Sequence, residues 1–352
     1  MSKAHTLKHL AASCAADARS FLTLFALLVM PFSLIGCPGN EAARSSSTPA
    51  PGANASPTPQ PSATAYTGFD GDRAFEHVRK QVEFGPRPPG SPELAKTREY
   101  LAAELKSYGL LVMQDEFTAS TPVGQRKMVN LTAELPGESS EVIIISSHYD
   151  TKLYEKFRFV GANDAGSSTG VLLELARAIT ASRQKPRFTY WFVFFDGEEA
   201  FCESWDECSK PGAPDNTYGS RRYVAQLTEK REVKRVRAMI LMDMIGYKNL
   251  EIGRDDMSTK WLVDIIWQTA RELGYATTFP SRLEGVGGDD HEPFLRAGID
   301  SVDLIQLNSY PHWHTPEDTL DKVSAKSLKI VGDVLLSSLP KIEQRLSNKR
   351  GS

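Results

Sequence analysis

The run Phe188-Thr189-Tyr190-Trp191-Phe192-Val193-Phe194-Phe195 limits the possible folds of this chain more than any other stretch. It is apolar at nearly every position and lacks the alternation of a strand with one wet face, so a strand here belongs inside a sheet covered on both sides. Directly after it come Asp196-Gly197-Glu198-Glu199. Neighbouring side chains leaving a strand end point in different directions, so one carboxylate can bind a metal while the other stays free to move protons. Adjacent glutamates are more often a solvated surface feature. The apolar run before this pair, and metal-ligand residue types at other strand ends, argue against that reading here.

Helix and strand periodicities alternate along the chain. Ala74, Phe75, Val78 and Val82 recur at helical spacing, and Ser91-Pro92 supplies a capping residue and a first-turn proline for a second helix that stops at Gly109. Short stretches rich in apolar or β-branched residues, Leu110–Thr118, Met128–Leu135 and Val142–Ser146, read as strands. A helix near Thr169–Ala181, the strand Phe188–Phe195, a helix near Tyr218–Leu227 and a strand Ala238–Met242 follow. The helix Trp261–Leu273, the strand Ser301–Leu307 and the helix Ser324–Leu339 complete the series. The order predicts an α/β fold, a three-layer α/β/α sandwich with a mixed, largely parallel central sheet. Sites in such folds lie outside the carboxyl ends of the central strands.

Residues 1–37 read as an address. Lys3, Lys8 and Arg19 precede about 15 mostly apolar residues, Phe21–Ile35, shorter than the ~20 a membrane span needs and interrupted by Pro31. The run ends Leu34-Ile35-Gly36-Cys37, which resembles the lipobox of bacterial lipoproteins. That resemblance implies lipid attachment at Cys37, membrane anchoring in the bacterial cell envelope, and a periplasmic or cell-surface location; an ordinary signal peptide is the alternative. Residues 38–67, rich in Pro, Ser, Thr and Ala, are expected to be a disordered tether. Residues 68–352 remain for one catalytic domain of a size a single α/β unit reaches.

A formal charge of −3 with 24% charged residues offers no basic face for nucleic acid, which is not expected as a partner. Of four cysteines, Cys14 falls in the leader and Cys37 at the lipobox, leaving Cys202 and Cys208. In an oxidising compartment these are expected to form a disulfide pinning the loop after the glutamate pair, with two free thiols as the alternative.

Metal-ligand residue types gather at the strand ends and in the loops: His148-Tyr149-Asp150, Asn163-Asp164, Glu198-Glu199, Asp243, Asp289-Asp290-His291 and Trp313-His314-Thr315. Each alone is an ordinary hydrogen-bonded loop residue; together on one edge they point to a metal. Carboxylates plus imidazole suit Zn²⁺ held by three protein ligands with a fourth position open.

The segments Pro89-Gly90-Ser91-Pro92, Ser147-His148-Tyr149-Asp150-Thr151-Lys152, Phe159-Val160-Gly161-Ala162-Asn163-Asp164, Phe194-Phe195-Asp196-Gly197-Glu198-Glu199-Ala200-Phe201, Tyr218-Gly219-Ser220-Arg221, Asp289-Asp290-His291-Glu292-Pro293-Phe294-Leu295 and Trp313-His314-Thr315 carry a family resemblance. From about Phe84 to Leu328 the chain resembles the animal-type glutaminyl cyclases (glutaminyl-peptide cyclotransferases) and, more broadly, the zinc aminopeptidases. The resemblance implies Asp164, Glu199 and His314 as ligands of one zinc, Glu198 as the proton-transfer residue, and Asp243 with Asp289 as a hydrogen-bonded acid pair. It further implies Trp205 and Trp313 as aromatic walls of the substrate pocket, Trp205 only with one residue inserted after Phe201; rim or core packing is the alternative for both.

The implied reaction converts the N-terminal glutamine of a peptide or protein to pyroglutamate with release of ammonia. The alternative is hydrolysis of N-terminal residues by a two-zinc aminopeptidase, in which His148 and Asp243 serve the second metal and Asp164 bridges. Asp289 in place of a serine, Trp313 before the ligand histidine and the loop Lys152–Val160 favour cyclisation; Gly166-Ser167-Ser168-Thr169-Gly170 and Thr315-Pro316-Glu317-Asp318-Thr319-Leu320 read more like peptidase, and the loop Cys202–Asn216 is longer than either pattern. A catalytically silent binding domain on the same fold is a third reading, and it predicts lost ligands where none is missing.

Overall fold

The computed structural model describes residue 66 and residues 68–182 and 185–348. The leader, Cys14, Cys37 and nearly all of the expected tether lie outside the described residues.

The first helices form where local signals put them. In α1 (Gly71–Phe84) the Asp70 carboxylate caps the amides of Asp72 and Arg73, and in α2 (Pro92–Ser107) Ser91 Oγ accepts from the Leu94 amide at 3.1 Å. A long antiparallel hairpin follows, β1 (Leu111–Thr121) and β2 (Gly124–Leu135), joined across Pro122-Val123 with Thr121 opposite Gly124. It is longer than the sequence periodicity shows, because its outer half is a polar, exposed ribbon with no buried face to read. The remaining principal elements are β3 (Ser139–His148), α3 (Gly166–Thr180), β4 (Phe188–Phe195), α4 (Tyr218–Glu229), β5 (Val236–Asp243), β6 (Arg254–Asp255), α5 (Lys260–Glu272), β7 (Leu283–Glu284), α6 (Glu292–Arg296), β8 (Ser301–Ile305) and α7 (Ala325–Asn348).

One sheet takes six strands in the order β1-β2-β4-β3-β5-β8; β4, β3, β5 and β8 are parallel, while β2 and β1 run antiparallel at one edge. The α/β fold with a mixed central sheet is therefore the one expected. Side-chain alternation separates two apolar layers. Ile143, Ile145, Phe192, Phe194, Ile240 and Met242 pack with α1, α2, α3, α5 and α7, whereas Val142, Ile144, Trp191, Val193, Phe195 and Leu241 pack with Tyr223 and Leu227 of α4 and Phe294 of α6. Helix α7 runs nine residues past its expected end and through Pro340, because Ile342 and Leu346 continue the buried face of Leu335 and Leu339. Strand β8 stops two residues early, at Ile305. Among the described residues no helix is long and apolar enough to cross a membrane.

Candidate metal centre and active-site cleft

Parallel strands in register deliver their last residues to one edge. His148 ends β3 opposite Phe195 of β4, and Asp243 ends β5 opposite Ile305 of β8. Chain direction then reverses sharply after β4: Gly197 has φ +74°, and a Cβ there would lie 2.6 Å from Met128 Sδ, so glycine is needed to turn Glu198 and Glu199 into the site.

Asp164, Glu199 and His314, drawn from three distant segments, present one donor atom each within 4.8 Å of one another. His314 Nε2 lies 3.1 Å from Glu199 Oε2 and 3.4 Å from Asp164 Oδ2. Glu199 is buried, and its Oε2 has no hydrogen-bond partner apart from that ion contact. Burial works against a charged His314, but Glu199 and Asp164 outweigh it and raise its pKa to about 9. Three inward-facing donors held in close contact by one proton are a set that a divalent cation satisfies better.

A second cluster adjoins the first. His148, Asp164 and Asp243 also lie within 4.8 Å, with His148 Nε2 at 3.1 Å from Asp243 and 3.3 Å from Asp164. On its other side His148 Nδ1 is 3.5 Å from Asp150 and 3.7 Å from Glu198. Burial opposes a charged His148, yet Glu198 and Asp243 prevail and hold it well above its ordinary pKa. Glu198 is itself pushed well up by burial, with His148 opposing and Glu199, Asp289 and Asp290 reinforcing; burial brings Asp243 up to about 7.

These residues line a cleft of roughly 260 Å³ whose walls include Trp205, Trp313, Val286, Leu307 and the glycines at 287 and 288. Trp205 and Trp313 both line this cleft, Trp313 at 41% exposure on its rim. The expected disulfide joins Cys202 to Cys208 and closes the loop that carries Trp205.

The expected hydrogen bond between Asp243 and Asp289 is a point of difference. Both line the cleft, but Asp243 bonds His148, while Asp289 accepts from the Asp290 amide and has Asp303 and His291 within 4.8 Å. Asp303 escaped the sequence reading although it had a signal, a lone acid inside the apolar strand Ser301-Val302-Asp303-Leu304-Ile305. Burial, reinforced by Asp289, pushes it well above the carboxylate range.

Two further acids position these residues. Asp150 accepts the amides of Glu198 and Glu199 at 3.2 and 3.3 Å, one oxygen for each. Asp318 accepts the amides of Asn163 and Asp164 at 2.8 and 3.1 Å and the Tyr310 hydroxyl at 2.7 Å. Arg87, fully buried, donates to the carbonyls of Val160 and Gly161 just ahead of Asp164.

This sheet, with acids and imidazoles at its parallel strand ends, is an α/β fold of the zinc-aminopeptidase type. The chain belongs to peptidase family M28, whose profile matches residues 130–339. It is 31% identical over 260 residues to a glutaminyl-peptide cyclotransferase-like protein of Bos taurus, spanning 66% of each chain, just under two thirds of that relative's length. Among solved structures, an Acidobacteriales bacterium glutaminyl cyclase is 36% identical, with a TM-score of 0.75 and coverage of 82% of this chain and 99% of that one. A leucine aminopeptidase precursor from Bacteroides thetaiotaomicron is 28% identical, with a TM-score of 0.71 and coverage of 78% and 98%.

Proposed function

We propose that this protein is a zinc-dependent glutaminyl-peptide cyclotransferase that converts N-terminal glutamine to pyroglutamate and releases ammonia. The observation that carries the reading is the Asp164, Glu199 and His314 cluster set in a tryptophan-walled cleft with Glu198 beside it. The 36% identity to a glutaminyl cyclase covering 99% of that chain supports it.

Asp164, Glu199 and His314 would hold the zinc. When bound, the metal supplies a Lewis acid that polarises the γ-carboxamide carbonyl and stabilises charge developing on its oxygen. Glu198 takes a proton from the attacking α-amine and returns it to the departing ammonia; its raised pKa brings it nearer to the amine and lets it work in both directions. His148, 3.7 Å away and with its pKa raised above the ordinary value, steadies the Glu198 carboxylate. Trp205 and Trp313 confine the glutamine, and because nucleophile and electrophile share one residue, confinement removes most of the entropic barrier. Asp243 and Asp289 line the same cleft where the substrate amine needs neutral or anionic partners.

A second reading, a two-zinc aminopeptidase, draws on the His148, Asp164 and Asp243 cluster that shares Asp164 with the first. One experiment separates them. The metal-loaded enzyme is given a Gln-initiated and a Leu-initiated peptide and the products are weighed: ammonia loss from the first is expected, and free leucine from the second, with two metals per chain at full activity, overturns the assignment.

Anchoring by lipid at Cys37 is part of the proposal and draws on the sequence Leu34-Ile35-Gly36-Cys37 alone. Replacing Cys37 by serine should move the protein from the membrane fraction to the soluble one; a variant that stays with the membrane rejects this anchor.

A further inference from the structure

The loop between β4 and α4, which from Cys202 to Asn216 is longer than either pattern its motifs resemble, has a definite place in the structure. Cys202 and Cys208 close a short loop, and two residues inside that loop, Trp205 and Asp206, line the substrate cleft. The loop is held from below: the Cys202 amide and the Tyr218 hydroxyl both donate to Asp215, and Asn216 Nδ2 donates to the Trp205 carbonyl at 3.2 Å. Trp205 faces the glycine wall, its Nε1 within 3.9 Å of where a Cβ on Gly288 would stand.

Asp206 differs from every other acid of the cleft. Asp164, Glu198, Glu199, Asp243 and Asp289 are buried around the imidazoles, whereas Asp206 is exposed and its carboxylate has no partner among the described residues. Among the described residues no lysine or arginine lines the cleft. Asp206 is the exposed acid of the same lining, so a peptide whose first residue fills the depth beside Asp164, Glu199 and His314 can lead its second residue out past it.

We propose that the disulfide-closed loop 202–208 reads the second residue of the peptide substrate, with Asp206 favouring a basic side chain there and disfavouring an acidic one. This inference rests on the peptide-substrate reading given above. A single exposed ion pair is weak, so the discrimination between basic and acidic second residues is about three- to tenfold in kcat/KM, and salt screens it.

The test compares Gln-Arg, Gln-Ala and Gln-Glu peptides on the wild-type enzyme at low and high salt, then on Asp206→Asn and Asp206→Lys. The wild type should rank them Arg, Ala, Glu, with the Arg-to-Glu ratio shrinking in salt; Asp206→Asn should reduce that ratio about threefold or more, and Asp206→Lys should invert it. A Cys202→Ser/Cys208→Ser variant should also lose discrimination, because the loop no longer holds Asp206 at the wall. A ratio untouched by Asp206→Asn overturns the role of Asp206, and a ratio untouched by the double serine variant overturns that of the disulfide. Dissociation constants for the same peptides, read from tryptophan fluorescence, report the same ratio whatever chemistry follows. Absence of ammonia release from every peptide therefore rejects the cyclase assignment, while the binding ratio still decides this one.

Discussion

Replacing Glu198 by glutamine tests the division of labour between the two adjacent glutamates. The substitution keeps size and shape, leaves the amide that donates to Asp150 at 3.2 Å untouched, and removes only the ability to take a proton. A positioned general base contributes roughly 10²–10⁴ in rate, or about 3–5 kcal/mol at 1.36 kcal/mol per decade. The neighbouring base that could substitute is His148 at 3.7 Å, whose pKa is held above its ordinary value by Glu198 and Asp243 against the opposing effect of burial, which weakens it as a replacement. Metal content should not change, since the cluster of donors contains Glu199 and not Glu198. Ammonia release coupled to a dehydrogenase gives kcat and KM, and elemental analysis gives metal per chain. Because the working form of Glu198 is the carboxylate and its pKa is displaced upward, wild-type kcat should rise with pH along a limb set above the ordinary glutamate range, and the residual rate of the variant should lack that limb. A variant within tenfold of the wild-type kcat refutes the assignment, and one that loses its metal moves Glu198 into the ligand set.

Asp318→Ala strips the acceptor from two backbone amides and the Tyr310 hydroxyl, so affinity for the proposed metal should fall about 10- to 100-fold in a chelator competition; a change under threefold would mean that the loop carrying Asp164 holds itself. Far from the cleft, Glu343 accepts from Tyr190 at 2.8 Å and Tyr66 at 3.2 Å, and burial raises its pKa. A raised acid binds its proton more tightly in the native state, so its contribution is present at low pH and is lost as pH rises from the unfolded-state pKa through the folded one. Glu343→Gln should therefore gain melting temperature relative to wild type at pH 8 compared with pH 4, and an equal difference at both pH values would exclude a titrating Glu343.

The sheet was legible because its inner strands are apolar on both sides, and β4 and β5 are near the lengths their patterns imply. The strand ends were legible because carboxylates and imidazoles are conspicuous after such runs. Strand order was not, since β3 pairs with β4 and β5 through contacts with no local signature. The positioning work of Asp150 and Asp318 was equally hidden: an acid that accepts main-chain amides looks like any loop acid until the chain is folded around it. Asp243 and Asp289 show the limit of reasoning from motifs, which brings both to one cleft but not their hydrogen-bond partners.

The grip of Asp150 and Asp318 on peptide nitrogens has a consequence for metal exchange. Both clamps consist of protein groups alone, acid oxygens on main-chain amides, so stripping the metal should leave the loops in place, unlike small zinc modules whose chain collapses when stripped. Ions of similar radius should thus swap in and out at a rate set by solvent entry and ligand release, with no unfolding step in between.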